Sequence, residues 1–239
     1  MKQVKFFSTL SLAAGILFFS SCKSGKDKEA DKPAAENTKT ETVTAPSGPT
    51  EVMIVKHHVA DYAKWKQGYD GHDSARLANG LHSYVITRGV DDSNLVLVAM
   101  IMDDVDKAKA MAADPSLKNV MKKAGVTGAP EIDFIHSVMN DTTALQTTTR
   151  VMVRSKVKDW DAWKKSFDGH IQKRIDAGLS DRVVAYSIGD NHRVTLVFAV
   201  ADMDKAKAFM NSQDLKDKMK EAGVEGPPDI YFYRVVQRY

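Results

Sequence analysis

The chain has 239 residues, which is room for one large domain or two small ones, since domains cluster at about 100 to 150 residues. Its 34 Lys and Arg residues nearly balance its 31 Asp and Glu residues. The sequence also has no basic patch interleaved with aromatic residues. Both observations argue against nucleic acid as a partner.

The first 21 residues have the pattern of an export signal. Lys2 and Lys5 give a positive start, residues 6–19 form a mostly apolar run that is too short for a membrane span, and two serines precede Cys22. Residues 19–22, Phe-Ser-Ser-Cys, resemble the lipobox of bacterial lipoproteins, with Phe in place of the usual Leu. The resemblance implies that Cys22 is acylated and anchors the protein to a lipid bilayer. The alternative is an ordinary cleaved signal followed by a chance cysteine.

The segment after the signal predicts a tether. Cys22 is the only cysteine of the chain, which excludes an internal disulfide. Residues 22–50 contain almost no large apolar side chain, and this composition is typical of disordered segments.

By analogy with lipoprotein sorting, Lys23 favours export past the inner membrane. We therefore expect a cell-envelope protein that is anchored to the outer membrane, faces the periplasm and contacts the bilayer through its lipid.

The predicted folded region begins with a strand at residues 52–58, an apolar and β-branched run. Asp61 then predicts the cap of one long amphipathic helix that ends at Gly80. Two further strands are predicted at residues 83–88 and 95–102. The second of these is apolar at every position, which is typical of a central strand covered on both faces.

A second helical region follows these strands. It starts at Asp104 and Asp106, is interrupted by Pro115 and ends at Gly125. After a predicted turn at residues 128–130, the letters I-D-F-I-H-S-V predict a last strand at residues 132–138. The order over residues 51–139 is β-α-β-β-α-β, the pattern of ferredoxin-like folds.

This pattern occurs twice in the chain. After a polar connector at residues 140–149, the same order returns over residues 150–239, and subtracting 72 from 170, the positions of two aligned histidines, gives a constant shift of 98. About a third of the aligned positions are identical, which chance does not produce over such a length. We predict an α+β fold of two tandem ferredoxin-like repeats.

Three motifs carry a resemblance to a known group of proteins. They are W-x6-H-x3-R-x3-G on the first helix, D-x-D-K-A at the start of the second, and L-x3-M-K-x-A-G-V-x-G-x-P before the last strand. In these the chain resembles the small dimeric α/β-barrel proteins related to the antibiotic-biosynthesis monooxygenases, which include cyclase-like members. The resemblance implies that the two repeats pair their sheets into one barrel within the chain. It also implies a pocket in each repeat, between the sheet and its helices.

Each predicted first helix carries two aromatic side chains, a histidine and an arginine on one side, at i, i+4, i+7 and i+11. If this side faces the pocket, the histidines act as acid/base or ligand-orienting groups, the arginines bind a carboxylate, phenolate or enolate oxygen, and the aromatic residues wall an aromatic ligand. The members of the two stripes are Trp65, Tyr69, His72 and Arg76, and Trp163, Phe167, His170 and Arg174.

The structural alternative is an ordinary apolar helix face whose arginine and histidine are tied to carboxylates at its margin. Gly71 and Gly169, inside the predicted helices, predict close backbone packing there. His57 and His136 lack a third ligand for a metal site. Haem-degrading relatives have a characteristic histidine in the second helical region, where this chain has K-A-K-A-M and K-A-K-A-F. We therefore expect no metal and no cofactor.

Three functions remain open at the level of the sequence. The first is an envelope lipoprotein whose barrel binds a small aromatic or anionic molecule. The second is an enzyme of the cofactor-independent monooxygenase or cyclase type that uses His72, His170, Arg76 and Arg174. The third is a structural envelope protein without a ligand site. An open cavity bordered by the histidine favours the first two, and a cavity filled by aromatic side chains favours the third.

Overall fold

Two successive stretches of the chain have the same order of strands and helices in the computed structural model, which describes residues 48–239. The predicted signal, Cys22 and most of the predicted tether lie outside these residues. The first stretch contains β1 (Thr50–Val59), α1 (Tyr62–Asp70), α2 (Asp73–Ala78), β2 (Leu81–Gly89), β3 (Leu95–Met102), α3 (Val105–Ala113), α4 (Pro115–Ala124) and β4 (Val126–Asn140). The second contains β5 (Thr149–Val157), α5 (Trp160–Gly169), α6 (Ile171–Asp176), β6 (Leu179–Ser187), β7 (Asp190–Val200), α7 (Met203–Asn211), α8 (Gln213–Glu221) and β8 (Val224–Arg238).

The eight strands form one closed antiparallel barrel in the order β1-β3-β2-β8-β5-β7-β6-β4. Two seams join the halves: β2 pairs with β8, where Val85 lies opposite Arg238, and β4 pairs with β6, where Asn140 lies opposite Val183. These two pairs are related by the shift of 98 positions, so the halves are arranged about a pseudo-twofold axis. The predicted α+β fold, with two ferredoxin-like repeats closing into a barrel within the chain, is confirmed.

Polar caps begin the helices and glycine ends one of them, as the sequence predicts. The Asp61 carboxylate accepts a hydrogen bond from the Lys64 backbone N–H at 2.7 Å and starts α1. Pro115 occupies the first turn of α4, and Gly125 ends that helix with a left-handed φ of 94°. Among residues 48–239, no helix has the length and apolarity needed to cross a bilayer.

The prediction of one continuous helix from Asp61 to Gly80 is wrong. The helix stops after Asp70 and restarts at Asp73, and His72 lies at the junction, where its N–H bonds the Tyr69 carbonyl at 3.2 Å. The second half has the same break at His170, whose N–H bonds the Phe167 carbonyl. A tight local bond of this kind closes the first helix early.

The predicted turn at residues 128–130 is also wrong. It lies within β4, a strand of 15 residues, where the pairing with β1 shifts register between Lys56 and His58. Gly128 has a φ of 75°, so it supplies the backbone conformation that such an irregularity requires. The chain therefore bends within a long strand instead of reversing.

Side chains alternate between the two faces of each strand, and the interior therefore contains three apolar cores. On β1, Met53 and Val55 face the helices, whereas Val52 and Ile54 face the inside of the barrel. A separate core lies between the second sheet and its helices, around Trp163. β3 is buried on both faces, as its unbroken apolar run predicts.

Candidate functional site

Each half contains a cavity between the outer face of its sheet and its helices. The first has a volume of about 90 Å³ and is lined mainly by aliphatic and methionine side chains of β1, β3, α3 and α4. The four residues of the first stripe all line it: Trp65, Tyr69, His72 and Arg76. The second cavity, of about 100 Å³, is lined by the corresponding four: Trp163, Phe167, His170 and Arg174.

The tryptophan of each stripe forms the floor of its cavity. Trp65 is 3% exposed and stacks on Tyr69 with ring centroids 5.2 Å apart. Trp163 is equally buried and stacks on Phe167 at 5.3 Å. The Tyr69 hydroxyl is hydrogen-bonded to the Ser83 hydroxyl at 2.7 Å, so it is already engaged. These rings shape the cavities as apolar walls.

All three guanidinium nitrogens of Arg174 donate hydrogen bonds to other residues of the protein. Its Nε and Nη2 atoms donate to the two carboxylate oxygens of Asp181 at 2.8 and 2.7 Å, and Nη1 donates to the Phe167 carbonyl. Its guanidinium carbon lies 3.7 Å from the centre of the Phe167 ring. This buried, bidentate ion pair fits the structural alternative for the second half.

Arg76 is less completely satisfied. It lies 3.7 Å from the centre of the Tyr69 ring, and its Nη1 donates to the Tyr69 carbonyl at 2.6 Å. Its only carboxylate partner among the described residues is the half-exposed Asp73, which Nη2 reaches at 2.9 Å. The Nε atom is buried and has no hydrogen-bond partner in the described part of the chain.

The histidines of the two stripes lie at the helix junctions, on the borders of their cavities. The Nδ1 atom of His72 is buried and lacks a hydrogen-bond partner among the described residues. Asp70, the nearest acidic residue before His72 in the sequence, is instead paired with Lys66. Within the described part of the chain, no carboxylate therefore bonds His72 and fixes its tautomer.

His57 is the residue that sequence reasoning missed. It lies on β1, is 5% exposed, lines the first cavity, and has its ring centroid 5.5 Å from that of Trp65. Neither ring nitrogen has a hydrogen-bond partner within residues 48–239. Burial lowers the pKa of His57 to about 4, with a smaller contribution from His58, so the ring is neutral at pH 7. One sequence signal could have found it: residues 53, 55 and 57 alternate along β1, so His57 lies on the same helix-covered face as Met53 and Val55.

His57 and His136 do not form the pair considered from the sequence. His136 lies opposite Glu51 and contacts its carboxylate at 2.8 Å, six positions along β1 from His57. Across the described residues, no group of three His, Cys, Asp or Glu side chains has a geometry for metal binding. A cavity of about 90 Å³ also does not fit a tetrapyrrole, because pockets for drug-sized ligands start at about 300 Å³.

Two helices, α1 and α4, pack closely over the first cavity. The close contact is at Gly68 and not at Gly71 or Gly169, where the sequence predicts it. A Cβ atom on Gly68 would lie 2.8 Å from the Ala124 Cβ, so α1 and α4 touch there. A Cβ on Gly169 would meet nothing within 4 Å, and one on Gly71 would meet only backbone oxygens of its own helix. The prediction for Gly169 is wrong because the helix ends there and faces solvent.

Comparison with known proteins identifies the fold. No protein-family model and no curated protein matches the sequence. A candidate monooxygenase from Fusobacterium nucleatum subsp. nucleatum ATCC 25586 is 11% identical, with a TM-score of 0.52 over 80% of this chain and 94% of that chain. An anthrone oxidase-like protein is 14% identical, with a TM-score of 0.52 over 80% and 92% of the two chains. A candidate chlorite dismutase is 15% identical, with a TM-score of 0.50 over 79% and 95%.

The closed barrel and these likenesses define the fold as a dimeric α/β barrel. At such identities they show the fold and no activity. This particular protein is a single-chain form of that barrel, in which both β-α-β-β-α-β units are parts of one polypeptide.

Proposed function

We propose that this protein is an envelope lipoprotein that binds a small, largely apolar molecule in the cavity of its first half. The observation that carries the proposal is a set of buried polar groups around that cavity without hydrogen-bond partners in the described chain: both ring nitrogens of His57, Nδ1 of His72 and Nε of Arg76. Native structures leave few such groups, because each costs about 1 to 3 kcal/mol. A ligand that bonds them would recover this cost.

The size and the walls of the cavity restrict the ligand. A dry cavity of about 150 Å³ holds benzene. The first cavity, of about 90 Å³, is smaller, so a ligand of one ring fits only if the surrounding methionine side chains move, and methionine side chains adapt readily; they are Met53, Met100, Met111 and Met121. Neutral His57 can accept or donate one hydrogen bond, and Arg76 Nε can donate one. A phenol or a similar oxygen-bearing ring meets these requirements.

The second half lacks the same set of groups. Ser155 replaces His57, and Asp181 satisfies the Nε atom of Arg174. The second cavity is therefore an apolar cleft without comparable unpartnered atoms among its lining residues. We assign ligand binding to the first cavity.

The substitution His57→Ser tests the binding site, because serine is the residue that the second half has at this position. Ligand-observed NMR with phenol and toluene measures binding to the wild-type chain and to the variant. We expect phenol binding to weaken about tenfold or more, the size of a lost hydrogen bond to a buried group, and toluene binding to change little. Ser155→Ala in the second cavity is the control. Equal phenol affinity in wild type and His57→Ser would overturn the assignment.

The envelope location rests on the export pattern and on the lipobox resemblance at residues 19–22. Labelling of cells with radioactive palmitate tests it, and Cys22→Ala is the control. We expect label on the wild-type chain alone. Absence of label on the wild-type protein would exclude lipid anchoring.

A second candidate function is cofactor-independent oxygenation of the bound ring. It is favoured by His57, a neutral imidazole in an apolar cavity that can accept a hydrogen bond from a phenolic hydroxyl and so orient the ring, and by the names of two fold neighbours, a candidate monooxygenase and an anthrone oxidase-like protein. Oxygen uptake with one-ring phenols and with anthrone tests it. Uptake above the uncatalysed rate that His57→Ser abolishes would support the enzyme. Uptake at the uncatalysed rate would leave binding as the function.

A further inference from the structure

A third cavity, of about 90 Å³, lies inside the barrel and is independent of the two cavities under the helices. It is lined by residues of the interior-facing register of the strands, such as Ile54 and Met152. One end of it contains three arginines, two tyrosines and one aspartate: Arg150, Arg182, Arg238, Tyr84, Tyr233 and Asp141. The three arginines and Asp141 give this lining a net charge of +2.

The positive charge of this cavity comes only from arginines of the second half. At positions related by the shift of 98, the first half has Val52, Tyr84 and Asn140 where the second half has Arg150, Arg182 and Arg238. Both members of each pair line the same cavity, because the pseudo-twofold axis passes through it. A barrel made of two copies of the first half would carry none of these arginines. The positive charge is therefore specific to the second repeat.

Arg150 is a buried cation that has no carboxylate partner among the residues that the structure describes. It is 5% exposed, and its Nη1 atom donates to the carbonyls of Thr147 and Thr149 at 2.7 and 2.8 Å. No carboxylate of the described residues forms an ion pair with it. Burial lowers the pKa of Arg150. Such an uncompensated charge is costly, and a bound anion would offset the cost.

The other arginines differ in their partners. Arg182 is 6% exposed and pairs with Asp141 at 2.8 Å, and its second Nη atom donates to the Thr143 carbonyl. Arg238 is exposed, has no carboxylate partner within residues 48–239, and brings the cavity to the surface. Arg182 therefore holds the connector after β4, whereas Arg150 and Arg238 are available to a ligand.

At the opposite end of the barrel, the charge of an interior arginine is compensated by carboxylates. Arg154 shares the interior-facing register of Arg150, four residues further along β5. It contacts three carboxylates, those of Glu131, Asp133 and Asp229, and these raise its pKa. Within residues 48–239, the interior arginine at this end of the barrel is paired with carboxylates, whereas Arg150 at the other end is not.

We infer that the Arg150 end of the barrel binds a small organic carboxylate. The carboxylate lies against the guanidinium of Arg150, which presents a planar set of donors, with Arg238 at the entrance. The hydroxyl of Tyr233 has no partner among the described side chains, and because burial raises the pKa of Tyr233 it remains a donor. The apolar part of the ligand packs on Val52, Ile54 and Met152 deeper in the barrel.

An organic carboxylate fits this cavity better than inorganic phosphate. Most of the lining residues below the arginines are aliphatic and offer no hydrogen bonds to the further oxygens of a phosphate. A cavity of about 90 Å³ leaves room for a tail of a few carbon atoms. Butyrate is therefore the probe, and n-butanol, which has the same tail without the charge, is its neutral match.

Calorimetric titration of the full chain tests the inference. Arg150→Val introduces the residue that the first half has at the equivalent position, and Arg234→Val removes a charge one residue from Tyr233 on the other face of β8. We expect butyrate to bind wild type and Arg234→Val alike, and Arg150→Val at least tenfold more weakly. Arg238→Asn, again the first-half residue, changes an exposed position, retains the fold and weakens butyrate binding several-fold.

Four results would overturn the inference: no binding of butyrate, butyrate affinity unchanged in both Arg150→Val and Arg238→Asn, equal affinity for n-butanol, or equal affinity for inorganic phosphate. The test is separate from that of the first cavity, because His57→Ser is expected to leave butyrate binding unchanged.

Discussion

His57 and Ser155 occupy equivalent positions on β1 and β5, yet only His57 places buried ring nitrogens without hydrogen-bond partners in the described chain against a cavity. This one difference makes the two halves chemically unequal although their backbones repeat. It also makes the first half sensitive to pH.

The first prediction concerns acid stability. The pKa of His57 is about 4 in the folded chain and about 6.5 in the unfolded chain, so the unfolded state binds the proton first as the pH falls. The contribution of His57 is fully present above pH 6.5 and is lost as the pH falls to about 4. We expect a loss on the order of 3 kcal/mol over this range. Urea unfolding at pH 7, 5 and 4 measures it. A His57→Ser variant with the same pH slope would contradict the prediction.

The second prediction compares the two stripe arginines. Asp181 holds buried Arg174 with two bonds and is itself 16% exposed, whereas Asp73, the partner of Arg76, is 51% exposed. Asp181→Ala leaves a buried cation unpaired and is expected to cost about 3 kcal/mol of unfolding free energy. Asp73→Ala also leaves the buried Arg76 without a carboxylate among the described residues, but it removes one bond to a half-exposed partner and is expected to cost less, about 1 to 2 kcal/mol. Denaturant titration of both variants checks the order, and equal losses would contradict it.

The third prediction concerns two helical glycines. Gly68→Ala places a methyl group 2.8 Å from the Ala124 Cβ and must push α1 away from α4. We expect a net loss of about 1 to 2 kcal/mol, because overpacking outweighs the helix propensity of alanine. Gly169→Ala meets no atom within 4 Å and is expected to stabilise by up to about 1 kcal/mol. Thermal unfolding distinguishes the two, and stabilisation by Gly68→Ala would show that the helices are not in contact.

The fourth prediction concerns the seams of the barrel. A fragment of residues 48–140 exposes the edges of β2 and β4, which pair with the second half in the full chain. Unpaired strand edges and a half-exposed interior favour self-association. We expect the fragment to form a homodimer whose seams repeat the pairing of Val85 with residue 140. Light scattering after size exclusion measures its mass. A folded monomer would contradict this account of the barrel.

Much of the fold could be predicted from local sequence. Helix starts at Asp61 and Asp104, the helix end at Gly125 and the buried strand at residues 95–102 all follow from caps and apolar runs that act within a few residues. The helix breaks at His72 and His170 could not be predicted, because the stripe keeps the spacing of one continuous helix across them. In the structure, the carbonyl that each histidine N–H bonds also accepts a hydrogen bond from the arginine of the same stripe.

By itself, the sequence determined that one β-α-β-β-α-β unit occurs twice and that aromatic, histidine and arginine side chains recur at fixed spacing. Only the tertiary structure decided that His57 borders the first cavity with no hydrogen-bond partner in residues 48–239, and that Arg150, Arg182 and Arg238 line one cavity inside the barrel. Periodicity records which face of an element is apolar, since neighbours along the chain set it. The partners of a buried polar group come from strands that are distant in sequence, and the closing of the two seams brings them together.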